Sequence, residues 1–267
     1  MVALLVFADK KLHLTLRRIK EEAQNSGFFD KLSVYDQRTF DRTFWRKNKS
    51  WIKNNPRGYG YWIWKPYLIS RELNNLKYGD VLIYLDAGCV INKQGKHRLM
   101  EYIDSLSDSN YLVCFEHASC YERQYCKYDF LNYFSMTDND SFLFAKQKMS
   151  CILIIRVCQN SYNFVNEWFS LGDENRFLLD DTTIGKEEHS DFIEHRHDQS
   201  LFSFLCWKHR IGGLPQQEVE PSVYDDWDSL YSKPFWAARK KVFKNPFLKQ
   251  KLINLKYRIN KILHLYL

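Results

Sequence analysis

The chain has 267 residues, enough for one large α/β domain or for one domain with an appendage. Apolar residues at 45% and charged residues at 27% exclude wholesale disorder, and ten Gly with six Pro exclude a collagen-like or linker-rich architecture. Seven Cys without a CxxC pair argue against a secreted disulfide scaffold or a zinc knuckle and fit a reducing cytoplasm.

The formal charge of +7 is unevenly spread. Residues 231–267 hold ten Lys/Arg and no acid, whereas residues 1–230 hold 29 basic against 32 acidic side chains. A basic tail on a mildly acidic body points to an appendage with its own partner rather than to a nucleic-acid-binding body. No run of 18 apolar residues is present, so no transmembrane helix is expected, and the apolar start Met1–Ala8 is too short for a signal sequence.

In chain order, the apolar run Val2–Ala8 predicts a buried parallel strand. Residues 11–25, with Leu12, Leu14, Leu16 and Ile19 among charges, predict a helix stopped by Gly27, and Lys31–Tyr35 predicts a second strand, together a βαβ opening. Residues 37–60 are polar and aromatic, ending in a loop over 54–60. Pro66 suits the first turn of a helix that runs through Ile69, Leu73 and Leu76 to a cap at Gly79. Val81–Leu85 is apolar without alternation, the mark of a central strand covered on both faces, and leads into Asp86-Ala87-Gly88.

Farther on, Tyr111–Phe115 and Cys151–Val157 predict strands, while residues 117–135 give no clear pattern. Ser161–Leu171 predicts a helix ended by Gly172, and Ser200–Trp207 another, after a polar segment 173–198. Near the end, Leu248, Leu252, Leu255, Ile259, Ile262 and Tyr266 recur at helical spacing with Lys and Arg on the other faces. That is a basic amphipathic helix, suited to an anionic membrane surface or to packing on its own domain.

Two features carry chemistry. Asp86 follows a buried strand, where open sheets bind ligands; a carboxylate on so rigid a mount can position Mn²⁺ or Mg²⁺ against phosphate oxygens, and Gly88 lets backbone approach a phosphate. It equally suits an ordinary turn acid. The second feature is Arg57-Gly-Tyr-Gly-Tyr-Trp-Ile-Trp-Lys-Pro66, ahead of a helix N-terminus. Arg57 and Lys65 would contact phosphate there, and Tyr59 or Trp62 a sugar or base, with core anchoring as the alternative for the tryptophans.

The strings Gly58-Tyr-Gly-Tyr-Trp-Ile-Trp-Lys-Pro66, Gly79-Asp-Val-Leu-Ile-Tyr-Leu-Asp-Ala-Gly88, Cys151-Ile-Leu-Ile-Ile-Arg156 and His195-Arg-His-Asp-Gln-Ser200 resemble a family of small bacterial glycosyltransferases of O-antigen and capsular polysaccharide clusters. The resemblance covers most of residues 1–215. It implies a GT-A-like fold, a Rossmann-like mixed sheet flanked by helices, over residues 1–230, with residues 231–267 as the basic tail. It also implies a nucleotide-sugar donor, UDP foremost, held by Arg57, Gly58, Tyr59, Trp62, Lys65, Asp86, Gly88 and His197. Asp86 matches the first acid of the family's metal-binding Asp-x-Asp motif; Gly88 stands where the second acid would be. Asp198, or Glu116 after it, is the expected base toward the acceptor hydroxyl, although Asp198 also suits a helix N-cap.

The resulting expectation is a glycosyltransferase moving a hexose to a lipid-linked or polysaccharide acceptor, peripheral on the cytoplasmic face of the membrane through residues 245–267. A sugar nucleotidyltransferase is the enzymatic alternative, but Ala8-Asp9-Lys10-Lys11 lacks the Gly-rich loop such enzymes carry after the first strand. A non-catalytic protein binding nucleic acid or lipid through the tail is the other. His189, His195 and His197 lack the Cys partners of a zinc site.

Overall fold

Eight strands are present among the described residues: Val2–Phe7 (β1), Lys31–Tyr35 (β2), Val81–Asp86 (β3), Val90–Ile91 (β4), Leu112–Tyr121 (β5), Lys146–Arg156 (β6), Leu214–Pro215 (β7) and Phe235–Trp236 (β8). The computed structural model describes residues 1–184, 187–223 and 225–242. The main sheet has the order β2-β1-β3-β6-β5-β7, and β4 pairs with β8 apart from it. β1 is parallel to both β2 and β3, whereas β6 is antiparallel to β3 and β5. The mixed α/β sheet flanked by helices expected from the sequence is what the chain forms.

The continuous apolar runs follow from burial on both faces. Along β1, Ala3, Leu5 and Phe7 enter one core while Leu4 and Val6 enter the other. The first core is covered by Arg42–Asn54 (α2), Trp64–Leu73 (α3), Gln159–Glu174 (α5) and Asp198–Lys208 (α6). The second is covered by His13–Ser26 (α1) and Lys96–Asp104 (α4). Each fully buried Leu or Ile contributes roughly 1.5–3 kcal/mol, so the central strands form a rigid mount for whatever stands at their ends.

From β1 the chain goes out to β2, then returns past β1 to β3. Strand order therefore reverses between β1 and β3, and open α/β sheets bind ligands outside the carboxyl ends of strands at such a reversal.

Several boundaries differ from expectation. Residues 42–54 form a helix, capped by Asp41 on the Phe44 amide, in a polar and aromatic stretch to which the sequence pattern assigns no element before the loop at 54–60. α3 stops at Leu73, and Gly79 (φ +85°) serves the turn into β3 instead of capping a helix. Gly172 lies inside α5, where a Cβ would come within 3.1 Å of Leu179; it is small because that turn packs on it. Residues 231–242, assigned to the tail from sequence, pack on the body: β8 pairs with β4, the Ala237 amide donates to Val219 O at 2.9 Å, and the Lys240 amide donates to Gly88 O at 2.8 Å. The expected amphipathic helix of residues 245–267 lies outside the described residues. Among the described residues, no helix is long and apolar enough to cross a membrane.

Candidate functional site

A cleft of about 590 Å³ opens at the strand-order reversal. Its floor is Phe7, Ala8 and Asp9 at the end of β1, with Asp86, Ala87, Gly88 and Cys89 at the end of β3. Tyr59, Trp62 and Trp64 form an aromatic wall. His117 from β5, Met149 and Cys151 from β6 and Gln199 from α6 close the far side, and Glu220, Ala237, Arg239 and Lys241 form the remaining wall. Lys11 adds a further cation.

The aromatic wall rests on an uncommon backbone. Five consecutive residues have positive φ: Gly58 (56°), Tyr59 (56°), Gly60 (90°), Tyr61 (52°) and Trp62 (57°). The Tyr61 amide donates to Arg57 O at 2.9 Å and the Trp62 amide to Gly58 O at 3.1 Å, so the segment is one turn of left-handed helix. Such a turn costs roughly 1–2 kcal/mol for each non-glycine residue and persists only where surroundings over-determine it. Here Trp51 Nε1 donates to Gly60 O at 3.0 Å and Trp64 Nε1 to Gly58 O at 2.9 Å, clamping the turn on both sides. The glycines are needed: a Cβ on Gly58 would overlap the Trp62 ring, and one on Gly60 would come within 2.8 Å of Ile52.

Beneath the cleft lies a buried charge cluster. Lys65 Nζ, carried by α3, is 2.6 Å from Asp198 Oδ2 and 3.6 Å from Asp86 Oδ1. Ser150 Oγ accepts from Lys65 at 3.0 Å and donates to Asp198 at 3.1 Å. Burial alone would pull the Lys65 ammonium down, but Asp198 and Asp86 outweigh it and the net direction is up, so the cation is retained. Asp86 also accepts from Tyr84 OH at 2.6 Å, which fixes the carboxylate where the strand ends.

The expected site residues divide accordingly. Gly58, Tyr59, Trp62, Asp86 and Gly88 line the cleft. Lys65 is buried behind Asp86, so it acts on that carboxylate and reaches no phosphate in this arrangement. Asp198, expected as the base, is buried at the first residue of α6 and borders only a void of about 10 Å³; its ion pair with Lys65 accounts for it. Glu116, the second candidate base, pairs with Lys148 at 2.9 Å across the sheet and does not reach the cleft. Arg57 is drawn away by Asp181 and Glu194, at 3.3 and 3.4 Å. His197 lies behind the aromatic wall: its ring packs on Tyr61 and Trp62, Nδ1 lies 2.7 Å from Leu179 O, and burial lowers its pKa.

Residues not anticipated take their places. Asp9 and Lys11 follow β1 closely, much as Asp86 ends β3, a likeness the strand pattern already contained. Arg239 and Lys241 were hidden in the basic run read as tail. His117 and Gln199 come from distant segments and meet at 3.4 Å only through the fold. Burial, with Arg196 and Arg239 nearby, lowers the His117 pKa to about 3, so its ring is a neutral hydrogen-bonding group at ordinary pH.

A resident divalent ion fits this donor set poorly. Position 88 offers no side chain, and the one carboxylate at 86 is shared by a phenol and an ammonium, which cancel much of its pull on a cation. Among the described residues no three His, Cys, Asp or Glu side chains converge as ligands.

No protein-family model and no curated protein matches the chain. Among solved structures it is similar to a glycosyltransferase involved in the glycosylation of the major capsid of PBCV-1, at 9% identity and a TM-score of 0.46, covering 88% of this chain and 92% of that one. It is similar to mouse xyloside xylosyltransferase 1 at 12% identity and a TM-score of 0.44, covering 88% and 97%. It is also similar to the galactosyltransferase LgtC in complex with donor and acceptor sugar analogs, at 12% identity and a TM-score of 0.44, covering 88% and 86%.

Proposed function

We propose that the protein transfers a sugar from a nucleotide-sugar, UDP-linked in the first instance, to a hydroxyl of a glycan acceptor. One observation carries this reading: Asp86, the aromatic wall of Tyr59, Trp62 and Trp64, and the cations Lys11, Arg239 and Lys241 all face one cleft at the strand-order reversal. Aromatic faces suit a base or the apolar face of a sugar. Cations suit a diphosphate, and a fixed carboxylate suits sugar hydroxyls. The cleft volume is in the range of small-molecule sites.

In the transfer, the acceptor oxygen bonds to the anomeric carbon as the bond from that carbon to the diphosphate oxygen breaks. The electron pair leaves with the diphosphate, and the hydroxyl proton passes to a carboxylate. The carboxylates that face the cleft are Asp9, Asp86 and Glu220. Of these, Asp86 has Tyr84 and Lys65 to hold its geometry, so it is the group assigned to the sugar. A lipid-linked acceptor of cell-surface glycan synthesis, with residues 245–267 on an anionic bilayer, belongs to the same proposal and is motivated by the tail's sequence alone.

The test is release of nucleoside diphosphate from a panel of nucleotide-sugars without acceptor. Slow release from one donor, lost in Asp86→Asn with the fold intact, is the expected result. Absence of binding and of release across the whole panel would sink the reading.

A further inference from the structure

The missing second acid at position 88 has a structural cause that points to what replaces it. Gly88 is covered by the segment 237–242: its carbonyl accepts from the Lys240 amide at 2.8 Å, and a Cβ at 88 would come within 3.2 Å of Arg239 Cα. Any side chain there would press on this backbone, which would have to give way to admit it. The segment is held at both ends, by the Ala237 amide on Val219 O at 2.9 Å and by the Val242 amide on Thr15 Oγ1 at 2.9 Å. Arg18 braces the floor from below, donating to Ala87 O at 2.7 Å and Cys89 O at 2.8 Å.

Lys240 is tied to Gly88 through its backbone, and its two neighbours, Arg239 and Lys241, both line the cleft. Arg239 adopts φ +50°, a left-handed conformation that costs a residue with a Cβ on the order of 1 kcal/mol. Arg239 shares the cleft lining with His117, whose pKa is lowered by burial first and by the nearby charges of Arg196 and Arg239 after it.

We propose that Arg239 and Lys241, presented by the segment docked on Gly88, hold the donor's diphosphate in place of a divalent ion. The proposal rests on the reading of the cleft as a nucleotide-sugar site. A guanidinium takes two phosphate oxygens in one fork, an ammonium takes a third as a point charge, and both neutralise the charge that develops as the diphosphate leaves. Lys11 lines the same cleft and adds a third cation.

The test is calorimetric titration of the full chain with UDP, GDP, CDP, ADP and dTDP, in EDTA and again with Mn²⁺. One diphosphate should bind in EDTA, with an affinity that Mn²⁺ changes by less than about threefold. In Arg239→Gln/Lys241→Gln that affinity should fall by about tenfold or more, as expected for losing hydrogen bonds to a charged group, while the matching nucleoside keeps its affinity. Lys20→Gln/Lys49→Gln, which removes two exposed charges elsewhere, controls for net charge and should bind as the wild type does. Binding that requires Mn²⁺, or an equal loss in the control, would overturn the metal replacement while leaving the site reading standing. Failure of every nucleotide to bind under both conditions would remove the site reading, and this proposal with it.

Discussion

Lys65 Nζ lies 2.6 Å from Asp198 Oδ2 in a region solvent scarcely reaches, the two side chains being 2% and 6% exposed. Removing one partner from such a pair leaves an uncompensated buried charge, at a cost of about 3–5 kcal/mol. Asp198→Ala should therefore lower stability by that order in chemical denaturation. Lys65→Met/Asp198→Leu, which removes both charges, should recover much of it. A stable Asp198→Ala with only a lower turnover would return Asp198 to the role of base.

The same cluster bears on Asp86 from the other side. Tyr84→Phe removes the 2.6 Å hydrogen bond to Asp86 without changing ring volume. The carboxylate then loses its fixed orientation, and turnover of the assigned donor should drop by about tenfold with little change in melting temperature. Steady-state kinetics of transfer or donor hydrolysis would check this; wild-type kcat and KM would show that the hydrogen bond positions nothing.

The left-handed turn gives a stability prediction. Gly58→Ala places a methyl group against the Trp62 ring at a position with φ +56°. A loss of about 1–3 kcal/mol is expected, together with weaker donor binding because Tyr59 and Trp62 move with the turn. Urea denaturation and nucleotide titration on the same variant test both halves.

Glu122 sets a pH dependence. It is buried, accepts from Ser203, from Gln147 at 3.2 Å and from Cys126 at 3.3 Å, and burial pushes its carboxyl from 4.5 up to about 7. The folded protein thus keeps a proton that the unfolded chain has already released. Stability from this group is present below the unfolded value and is lost as pH rises through about 7, by roughly 3 kcal/mol at most. His117 and His195, lowered to about 3 by burial, act in the opposite sense below their ordinary value, so the informative quantity is the difference from Glu122→Gln. Wild type should lose stability relative to that variant between about pH 5 and about pH 8 in urea denaturation. A constant difference would refute it.

For the tail, removing residues 245–267 should shift the protein from pelleted phosphatidylglycerol vesicles to the supernatant, since each basic residue near such a surface contributes about 1 kcal/mol. Nucleotide binding should persist, because the described lining of the cleft, which runs to Lys241, is kept in the shortened chain. Unchanged sedimentation would defeat the anchor.

Much of the frame was legible because β1 and β3 are buried on both faces and so read as unbroken apolar runs; that also put Asp86 at a strand end. α2 escaped notice because its inward positions, Phe44, Asn48 and Ile52, include a polar residue and are surrounded by Lys and Arg. The bend at Gly58–Gly60 could be foreseen, but not the positive φ of Tyr61 and Trp62, which depends on clamping by Trp51 and Trp64 from outside the turn. Asp198 looked catalytic because it sits among His and Glu in a polar segment. Only the fold reveals that α3 brings Lys65 to it. Arg239 and Lys241 continue without a break into the lysines of the tail, so nothing local marks where packing stops.

The cleft is lined by residues from opposite ends of the described chain, Phe7–Asp9 and Ala237–Lys241. Synthesis runs from the first of these residues to the last, so Ala237–Lys241 are among the last of the described residues to be made. On the proposed function, donor binding would be absent from chains ended before residue 237, and a cut after residue 230 that released this segment would remove one wall of the cleft.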